Sequence, residues 1–381
     1  MIRPHQLAKG KQSMKEITRR DFFVHAAAPL ALTALAQPVL AGGGSAPLSR
    51  MGIASTSFMG AQIGAAPPAS AATAARAAQG GTAGRPRQRD AYEFLEKCHA
   101  LGAGGVQTAL NGDLRKLRAR AEELGMYLEG MVSIPRTGDL SGLEKGLADA
   151  KAAGATVVRA AMLSGRRYET FRTLADWKTW VEQSHAALRA ALPVIEKHKV
   201  VVALENHKDW TAEDFLALLK THASEYLQVC LDFGNNISLL DDPLELIEAL
   251  APYAKSTHIK DMGVRPYAEG FLLSEVPLGQ GMLDLRQIVA LIQKAQPQTK
   301  FSLEMITRDP LKVPCLTKQF WEVFPDRNGK YLARTLKLVN DKASREPLPT
   351  VDQLGPEARA RVEEENVKAC LSYVNEQRLI A

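Results

Sequence analysis

Four residues able to hold a metal ion stand at or beside the ends of four short apolar runs. VVALENH carries Glu205, LQVCLDF carries Asp232, STHIKDM carries His258 and KFSLEMI carries Glu304. A carboxylate closing a buried β-branched run is costly unless something pairs with it. Three of them converging on one point would repel strongly and could not all stay ionised without a cation between them. One divalent ion solves that problem, and the imidazole completes a four-ligand set. Three oxygen donors and one nitrogen favour Mn²⁺, Mg²⁺ or Co²⁺, with Zn²⁺ admissible. Open coordination positions would be left for substrate oxygens. Taken singly, each residue reads as a helix cap, a salt-bridge partner or a rim histidine. The repetition carries the metal reading.

The spacing shows what must position them. The first two steps, Glu205 to Asp232 and Asp232 to His258, are 27 and 26 residues, and the step to Glu304 is 46. From Asp90 onward, helix-length amphipathic segments alternate with short β-rich runs: AYEFLEKCHALGA before GVQTAL, DLRKLRARAEELG before MYLEGMVSI, LEKGLADAKAAGA before TVVRAAML. MGIASTSF, residues 51–58, supplies a first strand. Alternation of this kind specifies a parallel sheet with helices outside. Eight units within about 250 residues fit an α/β protein of the (β/α)₈ barrel type, whose strands end at one shared mouth. No G-x-G-x-x-G opens the first helix, which argues against a dinucleotide site. Past Glu304 the alternation stops, and helices are expected near residues 330–342 and 356–377. The predicted organisation is a barrel over 51–315, interrupted by a low-complexity loop at 60–88, and a helical extension over 316–381. That extension would pack on the barrel exterior or against a second copy in a homo-oligomer.

The 381 residues are 46% hydrophobic and 24% charged, ordinary for a globular chain. The formal net charge is +6, but Arg3, Lys9, Lys11, Lys15, Arg19 and Arg20 face only Glu16 and Asp21 within residues 1–41. Most of the excess therefore belongs to the start of the chain, and no basic stripe with interleaved aromatics remains to track nucleic acid. TRRDFF, residues 18–23, followed by a short apolar stretch, reads as a twin-arginine signal over 1–41, cleaved after Ala36 or Ala41. A linker at 42–50 follows it. The expected partner is the twin-arginine export machinery and the expected location periplasmic. The apolar stretch is too short to span a membrane. Four cysteines lack any C-x-x-C spacing and are expected to be buried small hydrophobes.

LENH, LDFGN, THIKD and SLEM, in this order, resemble the xylose isomerase-like barrels usually called sugar phosphate isomerases/epimerases, over roughly residues 50–310. In the ketose 3-epimerase members the matching positions bind one metal. The resemblance thus implies Glu205, Asp232, His258 and Glu304 as its ligands, with Glu205 and Glu304 also moving the proton. The DNA-repair endonucleases of the same superfamily use additional histidines for three zinc ions. Here Asn235 follows LDFG, the second strand has Gln107 and no Asp-x-His pair follows His258, so nuclease activity is not expected.

The chemistry implied is removal of a proton from a carbon beside a carbonyl, giving an enediolate steadied by the metal. Return of the proton on the opposite face gives epimerisation, and return to the adjacent carbon gives isomerisation. Loss of a β-substituent would cleave a 3-keto-glycoside. An exported enzyme points to a non-phosphorylated sugar or keto-sugar. His207, two residues beyond Glu205, Lys260, on the same face of its strand as His258, and Arg308, just past the last strand, are the candidate substrate-binding residues. Residues 263–282 are expected as a long loop able to close over substrate. The rival from another class is a non-catalytic periplasmic sugar-binding protein, which would need no proton-transfer pair.

Overall fold

The computed structural model describes residues 50–59, 90–136 and 138–380. The expected signal sequence, most of the linker and the low-complexity loop lie outside them. Eleven strands are numbered in chain order among the described residues. β1 (Met51–Ala54), β2 (Gly105–Thr108), β3 (Tyr127–Met131), β4 (Val157–Ala160), β5 (Val201–Glu205), β6 (Leu227–Asp232) and β7 (Ala254–Ile259) follow one another around a closed parallel barrel. β8 (Asp261–Tyr267) and β9 (Gly270–Val276) leave it as an antiparallel hairpin, and β10 (Lys300–Leu303) closes the ring between β7 and β1. β11 (Leu311–Val313) pairs with β9. The fold is the (β/α)₈ barrel expected, with helices in its C-terminal region.

Local chemistry starts and stops the outer helices. Asp90, Asp113, Asp242 and Asp284 accept hydrogen bonds from the first free backbone N–H groups of the helices that follow them, satisfying donors with no partner inside the helix. Thr173 and Asp176 form a reciprocal capping box at the head of Leu174–His198. Gly125 and Gly154 end two helices in the left-handed conformation (φ 66° and 79°).

The strands present two unlike faces. Val106, Val158, Val202, Leu204, Val229 and Leu231 are fully buried in the core that also holds Leu117, Leu147, Leu188, Phe215, Leu246 and Ile288 of the helices. Alternate residues point into the barrel, and many are polar: Gln107, Glu129, Arg159, Glu205, Asp232, Ser256, His258 and Ser302. Hydrogen bonds between strands that are not neighbours, such as Gln107 to Ser256, require that inward orientation. Barrel interiors are ordinarily filled by branched apolar side chains. This one is polar across its width.

Two expectations change. Residues 263–282 are largely ordered as the β8–β9 hairpin rather than as a loop, because VRPY and FLLSEV pair in antiparallel register across the turn before Gly270. The first strand stops at Ala54, and Ser55–Phe58 form a 3₁₀ turn. Helices at Gly329–Asp341 and Pro356–Gln377 complete the chain. The second is tied to the barrel rim through Leu278 N–H donating to Cys370 Sγ (3.4 Å) and Arg286 donating to Gln377 O (3.2 Å). None of the four cysteines forms a disulfide, and all are buried. No helix among the described residues is long and apolar enough to cross a membrane.

Candidate metal centre

Strand register brings the four candidate ligands together. Asp232 pairs with His258 across β6 and β7, and His258 with Ser302 across β7 and β10. Glu205 closes β5 opposite Cys230. Glu304, one residue past β10, extends that ladder by donating its N–H to Ile259 O (3.0 Å). With side chains alternating, all four face the barrel axis at its C-terminal end. One ligand atom from each lies within 4.8 Å of all the others, and all four residues are buried.

His258 Nδ1 is the centre of this group. It lies 3.3 Å from Glu205 Oε1, 3.4 Å from Glu304 Oε2 and 3.7 Å from Asp232 Oδ2. Nδ1 is buried with no hydrogen-bond partner, and Asp232 Oδ2 beside it is met by the Lys260 ammonium. Asp232 Oδ1, by contrast, accepts from the N–H groups of Gly234 (2.9 Å) and Asn235 (2.7 Å), which turns Oδ2 toward the others. An ion at about 2.0–2.6 Å from each donor requires donors no farther apart than about twice that. The spread meets this requirement, and the donor set of carboxylates and imidazole suits a divalent ion. The residues fit such an ion.

Side-chain cations also sit among the carboxylates. Arg159 of β4 donates from Nε to Glu205 Oε2 (2.5 Å) and pairs with it again through Nη2. Lys260 Nζ lies 2.7 Å from Asp232 Oδ2 and 2.5 Å from Glu304 Oε2. Burial opposes ionisation of Glu205, but Arg159 and His258 outweigh it and hold the carboxyl well below its usual range. Glu304 is likewise held low, by His258 and Lys260 against burial. The remaining oxygens are occupied as well. Asn235 Nδ2 donates to Glu205 Oε1 (3.0 Å), and Thr56 Oγ1 donates to Glu304 Oε1 (3.0 Å).

The three residues expected to meet substrate have separate fates. The Lys260 ammonium is buried against the ligand carboxylates. Arg308 grips Glu275 through two bonds, Nη2 to Oε1 (2.5 Å) and Nε to Oε2 (3.2 Å). His207 is pushed down to about 4 by burial, so its ring is neutral at neutral pH, and its Nδ1 is buried with no hydrogen-bond partner. Lys208, at φ 54° in the loop after β5, bonds Asn235 Oδ1. Burial, reinforced by Lys260 and Arg308, lowers Lys208 to about 8.

Beside Thr56 and Arg159 a cleft of about 1290 Å³ opens over the ends of β1 to β4, lined by Ser55, Thr108, Met131 and Ser133 among others. Hydroxyl-bearing side chains recur along it. Sequence reasoning missed Arg159 and Glu275, and it gave Gln107, Glu129 and Asn235 no role. A signal did exist for the strand residues, because Gln107 in GVQT, Glu129 in YLEGM and Arg159 in VVRA are polar groups in short barrel strands. Each needed a partner, and only the fold says which.

A model of the xylose isomerase-like TIM barrel family matches residues 95–324. The 3-oxo-isoapionate decarboxylase of Pectobacterium atrosepticum is 32% identical over 202 residues, which is 50% of this chain and 68% of that protein. An uncharacterised Escherichia coli protein, YihM, is 26% identical over 144 residues, and the chain spans 40% of its length. The solved structure of an L-ribulose 3-epimerase superposes with a TM-score of 0.47 at 16% identity, covering 87% of this chain and 97% of that one. The chain belongs to the xylose isomerase-like TIM barrel family.

Proposed function

We propose that this chain is a metal-dependent isomerase or epimerase that removes a proton beside the carbonyl of a non-phosphorylated sugar or keto-sugar. The observation carrying this reading is the pair Glu205 and Glu304, two buried carboxylates on either side of His258, 3.3 and 3.4 Å from the same nitrogen. A divalent ion held by Glu205, Asp232, His258 and Glu304 would supply the Lewis acidity that stabilises negative charge on the substrate oxygens. The rest is the work of side chains. Arg159 and Asn235 orient Glu205, while Lys260 and Thr56 orient Glu304, so each carboxylate is fixed in place and ionised. An ionised carboxylate can take the proton from one face of the carbon. The carboxyl across the site, once it has itself picked up a proton, can deliver that proton to the other face, which is epimerisation. The cleft beside Thr56 mixes apolar side chains with the hydroxyls of Ser55, Thr56, Thr108, Ser133 and Ser141, which can hydrogen-bond a polyhydroxylated substrate.

A second reading has its own support. Loss of carbon dioxide from a 3-oxo acid leaves the same enolate as loss of a proton, and the relative from Pectobacterium atrosepticum is named as a 3-oxo acid decarboxylase. In the site, Arg159, Lys208, Lys260 and Arg308 are matched by Glu205, Asp232, Glu275 and Glu304. A divalent ion would tip that balance positive and favour a carboxylated substrate. Elimination on a 3-keto-glycoside is the third fate open to one enolate.

The test is to incubate the purified enzyme with ketoses, 3-keto-glycosides and 3-oxo sugar acids in deuterated water. Deuterium at the carbon beside the carbonyl, with an epimer or isomer as product, supports the proposal. Carbon dioxide release without isomerisation favours the second reading. No turnover of any of these sinks both. Periplasmic export remains part of the proposal on the strength of residues 18–23. Changing Arg19 and Arg20 to Lys is expected to leave the protein unprocessed in the cytoplasm.

A further inference from the structure

Beneath the ligands, the barrel interior holds a polar chain that the proton-transfer reading does not use. Ser256 Oγ donates to Glu129 Oε2 at 2.6 Å. Gln107 Nε2 donates both to Glu129 Oε2 (3.0 Å) and to Ser256 Oγ (3.1 Å). Both amide hydrogens of Gln107 are thereby placed, and the amide oxygen is turned to His258, 2.6 Å from Nε2. An amide oxygen can only accept. Nε2 of His258 must therefore carry a ring hydrogen, so Nδ1, which faces Glu205, Asp232 and Glu304, is the nitrogen left to give up its own hydrogen to an ion.

We propose that Gln107, anchored by Glu129 and Ser256, is the positioning residue that makes His258 a ligand through Nδ1. A flipped amide would set its NH₂ group against Nε2 and drive the ring hydrogen to Nδ1, where it would block coordination. The flip is resisted because it would set the amide oxygen against Glu129 Oε2, which accepts from Ser256 whether or not Oε1 carries a proton. All members of this chain are buried, so water cannot substitute for a lost partner without rearrangement. Outer partners of this kind commonly change metal affinity by about 10–100-fold when removed. The part concerning the ion rests on the metal reading above, whereas the position of the ring hydrogen does not.

The test uses the full chain labelled with ¹⁵N, wild type and the variants Gln107→Leu, Glu129→Leu and Glu129→Gln. Imidazole-resolved NMR is expected to show a slowly exchanging hydrogen on His258 Nε2 in the wild type, with or without zinc. Calorimetry with zinc alone is expected to show affinity about 10–100-fold weaker in Gln107→Leu and Glu129→Leu. Glu129→Gln should stay near the wild type, because its amide oxygen can still accept from Gln107. A wild type without a hydrogen on Nε2, a zinc-loaded wild type with one on Nδ1, or a Gln107→Leu variant with unchanged ring signal and zinc affinity, overturns the proposal. A wild type that takes up no zinc, manganese or magnesium defeats the metal reading, and the Nε2 signal then decides the role of Gln107 by itself.

Discussion

The two halves of the barrel share a fold and divide the chemistry. The second half, from β5 to β10, supplies all four candidate ligands, from positions at or next to strand ends. The first half, from β1 to β4, supplies none. It contributes Thr56, which holds Glu304, Arg159, which holds Glu205, and, deeper, Gln107, which reaches His258 and is itself held by Glu129. Its strand ends also line the cleft. The difference follows from depth. A residue at the mouth can meet both ion and substrate, whereas one in mid-strand can only meet other side chains. One half presents the candidate ligands, and the other holds them in place and borders the cleft.

The sharpest way to break this division is to remove a ligand. Asp232→Ala should lose bound metal and turnover together, by about 10³-fold or more in rate, since both metal and proton chemistry depend on the assembled site. Elemental analysis and steady-state rates check it, and a metal-loaded, active variant would place the centre elsewhere. Glu205→Gln and Glu304→Gln should separate holding from proton transfer. Each keeps a ligand oxygen but loses a base, so turnover should fall at least about 10²-fold while metal binding falls less. If one variant still exchanges the substrate's α-hydrogen with solvent, it has kept the abstracting base, and the other glutamate serves the return step.

The first half should respond differently. Arg159→Met removes the partner of buried Glu205 and should destabilise the metal-free protein by about 3 kcal/mol, the usual range for breaking one side of a buried pair. The loss should shrink when metal is bound, because the ion replaces the missing positive charge. Urea unfolding with and without metal tests this, and an equal loss in both states would remove Arg159 from the site's electrostatics.

The last contrast between the halves is one of opposite slopes with pH. Burial raises Glu129 from 4.5 to about 7. Between those values the native chain holds a proton that the unfolded chain has released, so stability falls as pH rises, by about 3 kcal/mol in total. Glu275, on β9 of the hairpin, is lowered because Arg308 and Lys260 outweigh its burial. Its contribution is present above the ordinary carboxylate range and is lost as pH falls through the lower native value. Glu129→Gln should flatten the first slope and Glu275→Gln the second, as read by thermal melts across pH 3 to about 8. If both substitutions act in the same pH window, the contrast between the halves fails.

The sequence by itself determined the barrel and the four converging residues. Alternating helices and apolar runs admit few packings, and parallel strands of one barrel share one mouth, so residues at equivalent strand ends must meet. It could also carry the family resemblance, since LENH, LDFGN, THIKD and SLEM are contiguous strings. Only the tertiary structure decided the partners. Arg159 and Glu205 lie 46 residues apart and Gln107 and His258 lie 151 apart, and no local pattern encodes which polar side chain will face which across a barrel. The β8–β9 hairpin was hidden for a related reason. Its strands interrupt the helix-and-strand alternation that organises everything around them, and their antiparallel pairing adds a small sheet outside the barrel. Periodicity fixes which way a side chain points. What it then touches depends on closure of the ring, which brings strands far apart in the chain to within a hydrogen bond of each other.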